Sequence, residues 1–254
     1  MQAASKKITV MPIDVEKSSP PPADEEAVRL TYGSMHDLVS PANQICSLTG
    51  LLIKQYGDRL GPDAGEMLDL IQGSVNRLQK LLAGFRTYAQ IAGQKAPLQL
   101  CDGNDLLTAS LSSLKPVIDE NRASVTQDDL PELYCDPAQI TFVFLSLMEN
   151  SIKFRSQARP EIHVSAVSDE DMSTLVVRDN GIGIDSKNHR RIFEMFKRVH
   201  NERYSGAGVG LAIVERIVQR HGGQIWVDSE LGQGATFSFS LPRAASLRPN
   251  AVVA

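Results

Sequence analysis

Two long stretches of the chain repeat apolar residues at alternating steps of three and four, the periodicity of helices that pack in a coiled coil or bundle. The first stretch runs from residue 28 to residue 56 and the second from residue 67 to residue 88. Glycines and a proline between residues 57 and 62 favour a turn. The sequence therefore predicts two helices that a short loop joins into an antiparallel hairpin.

The predicted hairpin has more apolar surface than its two helices can cover. Pairing two hairpins into a four-helix bundle would bury about ten further large side chains per chain, each worth about 1.5 to 3 kcal/mol before entropic costs. We therefore expect a homodimer. The alternative is a monomer whose hairpin docks on the second half of the same chain.

One histidine lies just outside this apolar stripe, in the segment Met35–Pro41. Because the stripe is buried, we expect His36 at its wet rim, beside Asp37. Neutral imidazole is a good nucleophile at pH 7, and an adjacent carboxylate can hold its tautomer and take its proton. The pair is a candidate for accepting a phosphoryl group. On this segment alone, a solvated surface histidine is an equally good interpretation.

Composition limits the classes of protein that this chain can belong to. With 254 residues, 42% hydrophobic and 22% charged, it has room for two modest domains. A net charge of -4 gives no basic surface for nucleic acid. No apolar run approaches the roughly 20 residues that cross a membrane. Three widely spaced cysteines in no metal-ligand pattern favour packing roles in a reducing compartment, so we expect a cytoplasmic protein.

The domain boundaries follow from changes in periodicity. Residues 1–23 look like a disordered tail or linker, and residues 24–93 form the hairpin. A Gly- and Pro-containing hinge near residue 93 leads into residues 97–242, where helix and strand patterns alternate. Residues 243–254 look like a loose tail.

A predicted helix in the second domain carries an unusual polar stripe. The helix starts after Asp136, a good N-cap, and is mostly apolar. Ser146, Asn150 and Lys153 nevertheless share one face. An amide oxygen can bind Mg²⁺ and an ammonium can contact phosphate, so this face points either to solvent or to a polar ligand.

Two glycine-containing segments follow this helix. Asp179–Gly183 comes at the end of a predicted strand, which would place a carboxylate at the mouth of a pocket. Gly206–Gly210 opens directly onto a helix that starts near Leu211, an arrangement whose backbone amides can cradle phosphate. Between them, residues 192–198 contain two phenylalanines and look like a movable lid.

Taken in order, these segments resemble the conserved boxes of sensor histidine kinases. Met35–Pro41 resembles the phospho-acceptor box, and residues 149–154 resemble the asparagine box. Asp179–Gly183 and Gly206–Gly210 are similar to the two glycine boxes, with residues 193–196 as the phenylalanine box. The resemblance covers residues 29–242. It implies an α+β protein, in which a dimeric four-helix bundle precedes an α/β sandwich ATP-binding domain with a mixed sheet.

The resemblance also implies specific roles. His36 would receive the γ-phosphoryl group of ATP with Asp37 as base, and the group would pass to an aspartate of a response regulator. Ser40 stands where the family often has a phosphatase residue. Asn150 would hold Mg²⁺. The residues implied in ATP binding are Asn150, Lys153, Asp179, Gly181, Gly183, Phe196, Gly206, Gly208, Gly210, Leu211 and Thr236.

Some positions depart from the family pattern. Ser146 replaces a first asparagine, and Val39 and Ala42 replace a basic residue and a leucine near His36. Two other hypotheses therefore stay open. One is a non-catalytic phosphotransfer or scaffold protein with a decayed nucleotide domain. The other is a chaperone-type ATPase, which the hairpin and Ser146 disfavour. The segments contain no sensor domain, so we expect a missing upstream sensor or a separate one.

Overall fold

A computed structural model describes residues 23–59, 61–93, 97–197, 199 and 208–243. The side chains of residues 23–38, 58, 62, 85 and 88–93 lie outside this description. The expected terminal tails therefore fall almost entirely outside the described residues. His36 and Asp37 are located by their backbone alone.

The first part of the chain is a hairpin of two long helices. Helix α1 spans Ala23–Tyr56 and helix α2 spans Pro62–Gly93, with a 3-10 turn at Gly57–Arg59 between them. Proline suits the first position of α2. The N–H of the first residue in a helix has no acceptor within the helix, so proline, which lacks this N–H, loses no hydrogen bond there. The predicted boundaries of both helices agree with these to within a few residues.

Side chains at every seventh position hold the two helices together. Ala42 and Leu82 are buried against each other with Val39, and Asn43 accepts a hydrogen bond of 2.8 Å from the amide of Gln79. Thr49 and Val75 are buried in the same way further from the His36 end, along the inner faces of the hairpin. Within the described residues, no helix combines the length and the apolar run that a membrane span needs.

The second part of the chain alternates strands and helices. Among its described residues, 3-10 turns lie at Ser186–Asn188 and Arg191–Phe193. The strands and helices, in chain order, are β1 Gln99–Asp102, α3 Gly103–Asn121, β2 Ser124–Gln127, β3 Glu132–Cys135, α4 Pro137–Lys153, β4 Glu161–Ser168, β5 Met172–Asp179, α5 Gly210–Arg220, β6 Ile225–Ser229 and β7 Ala235–Pro242.

These strands form one large and one small sheet. The large sheet has the order β2-β4-β5-β7-β6, with β2 parallel to β4 and the remaining pairs antiparallel. Strands β1 and β3 form a separate antiparallel pair. The mixed five-stranded sheet with helices confirms the expected α+β fold class.

Helices α3, α4 and α5 cover one face of the large sheet and form the main core with it. Phe144 of α4 meets Phe239 of β7 edge to face, with ring centroids 5.6 Å apart. The predicted N-cap is present, because the Asp136 carboxylate accepts the backbone N–H groups of Ala138 and Gln139. Such a cap stabilises a helix by about 1 kcal/mol. This core fixes α4 relative to the end of β5.

Candidate functional site

The Asp179 carboxylate is held by three hydrogen bonds at the end of β5. Its Oδ1 accepts the backbone N–H of Gly181 at 2.8 Å and that of Ala235 at 3.0 Å. Its Oδ2 accepts the hydroxyl of Ser151, on α4, at 3.0 Å. A carboxylate has about four acceptor positions. One lone pair on Oδ2 therefore remains available to a ligand that donates a hydrogen bond.

Burial is the main influence on this carboxylate. It raises the pKa of Asp179, and the hydrogen bonds from Gly181, Ala235 and Ser151 only partly oppose the rise. A group that is this desolvated makes a stronger hydrogen bond to a ligand than a group in water would make. The site is thus suited to accepting one hydrogen bond from a ligand, such as one from an amino group.

The glycines beside Asp179 let backbone segments pack at close range. A Cβ on Gly181 would lie 2.6 Å from the carbonyl oxygen of Phe154, and Gly183 has a left-handed φ of 71°. Gly234, with φ 81°, passes directly against the backbone of Asp179. An L side chain would be excluded at these positions by overlap, by strain or by both. The glycines therefore keep the backbone beside Asp179 free of side chains.

Helix α4 brings two of the predicted ligand-binding side chains to the same region. Asn150 and Lys153 are both half-buried in its last turn, next to Ser151. The Lys153 ammonium lies 4.8 Å from the centre of the Phe154 ring. Ser146, by contrast, is only 7% exposed. The polar stripe is therefore partly exposed at its C-terminal end and buried at Ser146.

The second glycine segment is described in part. Gly206 lies outside the described residues, whereas Gly208 has a φ of 68° and Gly210 begins α5. Leu211 is half-buried in the first turn. Within the described residues, α5 has no side-chain hydrogen bond at its N-cap, Val209. Its first N–H groups and the positive end of its dipole suit an anion such as phosphate.

The two predicted lid phenylalanines have different environments. Phe193 is 7% exposed and packs edge to face on Phe237, with centroids 6.5 Å apart. Phe196 is 48% exposed, adopts a φ of 63°, and donates its backbone N–H to the Gly208 carbonyl at 2.8 Å. The lid prediction was thus wrong for Phe193, which the core retains. This hydrogen bond joins the segment of Phe196 to the second glycine segment.

Thr236, predicted to bind ATP, lies on the other face of the sheet from Asp179. It pairs with Arg178 across β5 and β7, and directly paired residues point to the same face of a sheet. Asp179 follows Arg178 and therefore points to the opposite face. The neighbouring residue, Ala235, contacts the carboxylate instead, through its backbone N–H. Successive side chains of β7 point to opposite faces of the sheet, and this alternation determines which residue lies near Asp179.

Sequence reasoning missed Ser151 as well as Ala235. The serine follows Asn150 directly, and a hydroxyl in an otherwise apolar helix was the available signal. Its role depends on the packing of α4 beside β5, which brings its hydroxyl to Asp179. The Ala235 contact had no side-chain signal, because it uses the backbone.

The hairpin contributes a second, separate set of predicted residues. His36 and Asp37 lie within α1, and their side chains are outside the described part of the chain. Ser40, one turn later, is exposed. The hairpin contacts the second domain where Gly84 of α2 faces Val209, at the start of α5. A Cβ on Gly84 would overlap the Val209 side chain.

Residues 135–245 match the family model described as histidine kinase-, DNA gyrase B- and HSP90-like ATPase. Cyanobacterial phytochrome A of Nostoc sp. is 38% identical over 230 residues, which are 90% of this chain and 29% of that protein. The methanogenesis regulatory histidine kinase FilI of Methanothrix harundinacea is 30% identical over 223 residues, 85% of this chain and 25% of that protein. The chain thus spans less than a third of the length of these relatives.

A solved structure shares the fold of both parts of the chain. The crystal structure of histidine kinase ThkA in complex with the response regulator protein TrrA has a TM-score of 0.60 and 17% identity. The match covers 89% of this chain and 67% of that one. A helical hairpin followed by the ATPase sandwich distinguishes this fold from a sandwich alone. Residues 135–245 thus belong to the family of histidine kinase-, DNA gyrase B- and HSP90-like ATPases, and the chain is similar to sensor histidine kinases over both of its parts.

Proposed function

We propose that this chain is an ATP-dependent histidine autokinase that passes its phosphoryl group to an aspartate of a response regulator. Residues 24–93 are the dimerisation and phosphotransfer hairpin in this proposal, and residues 97–242 are the catalytic ATP-binding domain. The observation that carries it is the Asp179 carboxylate, which three hydrogen bonds hold with one acceptor position left over. Such a site argues against a decayed nucleotide domain.

The adenine ring of ATP fits the residues around Asp179. The free lone pair on Oδ2 accepts the exocyclic amino group, and the backbone of Gly181 and Gly183 provides a surface without side chains for the flat ring. The triphosphate then extends towards Gly208, Gly210 and the first turn of α5, where N–H groups and the helix dipole favour negative charge. Lys153 is near enough to this path to add a positive charge.

Mg²⁺ fits this site only as an ion held jointly with the substrate. Within the described residues, no cluster of three or more His, Cys, Asp or Glu side chains could hold a metal alone. Mg²⁺ commonly uses one or two protein oxygens together with phosphate and water. The half-buried Asn150 supplies one such oxygen. When bound, the ion would neutralise charge on the triphosphate.

The phosphoryl group moves from ATP to the imidazole of His36. The bond between the γ-phosphorus and the bridging oxygen breaks, a phosphorus–nitrogen bond forms, and Asp37 takes the imidazole proton. Positioning supplies most of the rate in such reactions. The contact between Gly84 and Val209 supports a close approach of the two domains, because antiparallel pairing puts residue 84 about one turn from the level of residue 36.

The hairpin supplies the partner-binding surfaces of the proposed kinase. Large apolar side chains of α1 and α2 stay exposed, which supports a homodimer. A response regulator would dock beside His36, and the exposed Ser40 is a candidate for assisting dephosphorylation of that partner. Because ATP and the regulator are substrates, the cytoplasm is the expected compartment.

Incubation with γ-labelled ATP and Mg²⁺ tests the proposal directly. We expect protein-bound label that is labile in acid and stable in base, the behaviour of a phosphorus–nitrogen bond. His36→Gln should abolish it, and Asp179→Ala should abolish it together with nucleotide binding. His163→Gln, at a histidine on the open face of the sheet, is the matched control and should keep full labelling. Label that survives in His36→Gln, or ATP binding with no label at all, would contradict the proposal.

A further inference from the structure

Two of the three cysteines, far apart in sequence, meet in the small sheet. Strands β1 and β3 pair with Gln99 opposite Cys135 and Cys101 opposite Leu133. Cys101 and Cys135 are therefore diagonal neighbours on one face of the pair. The Cys101 sulfur lies 3.9 Å from the carbonyl oxygen of Cys135. The sequence predicted only separate packing roles for both.

The two thiols differ in access to solvent. Cys135 is fully buried in the core, whereas Cys101 is partly exposed at its edge. Burial raises the pKa of the Cys135 thiol, and the adjacent Cys101 thiol and the Asp136 carboxylate raise it further. An oxidant from solvent therefore meets Cys101 first. Cys135 is the nearest group that can react with the product.

From this geometry we propose that Cys101 and Cys135 form a reversible internal disulfide in the presence of a small disulfide oxidant such as oxidised glutathione. The Cys101 thiolate attacks one oxidant sulfur and releases one glutathione. Cys135 then loses its proton to solvent, its sulfur attacks the Cys101 sulfur, and the second glutathione leaves. The two protein thiols lose two hydrogens, and the oxidant is reduced to two thiols.

The spacing makes this bond reversible. Diagonal neighbours have Cα atoms about 7–8 Å apart, whereas a relaxed disulfide needs less than about 7 Å. The strands must shift by roughly 1 Å, which a two-stranded sheet at the domain edge permits more easily than the central sheet does. Bonds strained in this way are the readily reduced, labile kind. The sheet also precedes Asp136, the cap of α4, so oxidation would stiffen the entry to that helix.

Peptide mass spectrometry of the full chain, treated with oxidised glutathione under non-reducing conditions, tests the proposal. We expect a peptide that joins Cys101 to Cys135 with two hydrogens lost, and complete reversal by dithiothreitol. Cys46, on the hairpin, serves as the internal reference and should carry a single glutathione. In Cys135→Ala, glutathione should stay on Cys101 because the second thiol is absent.

The pH dependence separates this reaction from chance oxidation. Because the pKa of the Cys135 thiol is raised, conversion of the Cys101–glutathione adduct to the internal disulfide should keep accelerating above pH 9, whereas the rate for an ordinary thiol levels off above its pKa of about 8.5. Three results would overturn the proposal. The first is a stable glutathione adduct on Cys101 while Cys135 stays a free thiol. The second is that neither Cys101 nor Cys135 reacts under conditions in which Cys46 has reacted. The third is a disulfide that includes Cys46.

Discussion

At the scale of single residues, Asp179 depends on how its lone pairs are shared. Oδ1 uses both of its acceptor positions on the N–H groups of Gly181 and Ala235, and Oδ2 uses one on Ser151. The remaining acceptor position on Oδ2 is proposed to accept the hydrogen bond from the adenine amino group. A substitution that keeps the shape but turns this acceptor into a donor isolates that role.

We expect Asp179→Asn to weaken binding of a non-hydrolysable ATP analogue by about 10- to 100-fold, since a hydrogen bond to a charged group contributes about 1.5–3 kcal/mol. The amide oxygen keeps the bonds from Gly181 and Ala235, and the amide nitrogen can donate to Ser151, so the melting temperature should change little. Titration calorimetry and thermal melts measure the two quantities.

Ser151→Ala is the control for this prediction. It removes the one hydroxyl on Oδ2 but leaves the carboxylate as an acceptor, so the affinity for the analogue should stay within about threefold. With a guanine analogue in place of the adenine analogue, the affinities of the wild type and of Asp179→Asn should differ less. Guanine carries an acceptor oxygen at the position where adenine carries its amino group. If Asp179→Asn lowered the affinity for both analogues equally, Asp179 would not be the residue that recognises the adenine amino group.

His221 is a second residue whose surroundings decide its chemistry. Its Nε2 accepts the backbone N–H of Asp136 at 3.0 Å, so the proton sits on Nδ1 and is donated to the Ile217 carbonyl at 2.8 Å. The residue is 6% exposed. Burial lowers the pKa of His221, although the bond to Ile217 and the nearby Asp136 oppose this. The ring thus joins the end of α5 to the cap of α4 in its neutral form.

The free energy of unfolding should fall as the pH drops from about 6.5, because the unfolded histidine binds a proton that the folded one refuses. The contribution is fully present above that pH, and its loss is complete once the pH has passed below the folded pKa. The slope from His221 is at most about 1.4 kcal/mol per pH unit. Urea unfolding between pH 7 and pH 5 measures this dependence. In His221→Gln, the free energy of unfolding should change correspondingly less with pH than it does in the wild type. Identical slopes would mean that the ring titrates freely.

At the scale of elements, helix α2 contains four glycines, and two of them, Gly73 and Gly84, have opposite surroundings. A Cβ on Gly73 would meet no heavy atom within 4 Å, whereas one on Gly84 would overlap Val209 at the start of α5. Alanine favours a helix by about 1 kcal/mol over glycine. Only packing against α5 therefore distinguishes the two positions.

Gly73→Ala should raise the free energy of unfolding of the hairpin by about 1 kcal/mol. Gly84→Ala should instead release the start of α5 from α2, because overpacking costs about 1–3 kcal/mol. Hydrogen exchange of the peptide that contains Val209 should accelerate by about 5- to 100-fold. Adding Val209→Ala to Gly84→Ala should restore slow exchange. Equal exchange in both single variants would show that the helices do not pack there in solution.

At the scale of the whole molecule, the apolar stripe of each hairpin helix is divided in two. Ala42, Thr49 and Val75 face the partner helix and are buried, but Ile45 and Leu52 are each 45% exposed. Further large apolar side chains are exposed at Leu48, Leu51, Met67, Leu70, Ile71 and Leu78. A stripe this wide is typical of a surface that a second chain covers.

Leu48→Glu should shift the chain from dimer to monomer in light scattering after gel filtration. A charge in the centre of an apolar interface is left without a partner and costs several kcal/mol. Lys54→Glu, at an exposed position on the opposite side of the same helix from Ile45 and Leu52, should leave the dimer intact. A wild-type chain that is monomeric at micromolar concentration would remove the basis of the proposed four-helix bundle.

Local sequence determined most of the elements of this protein. Sustained heptads define both hairpin helices, and the Asp136–Pro137 pair sets the start of α4, because caps and periodicity act within a few residues. The mixed character of the second domain and the position of Asp179 at the end of a strand were predicted for the same reason. The boundary errors are confined to a few terminal residues.

Tertiary structure alone decided which side chains meet. The register between β5 and β7 turns Thr236 away and brings the Ala235 N–H to Asp179, and the packing of α4 on β5 adds Ser151. Pairing of β1 with β3 likewise brings Cys101 and Cys135 together over a separation that no local pattern encodes. Spacing along the chain determines which face a residue occupies, but only the packed strands and helices determine what lies opposite that face.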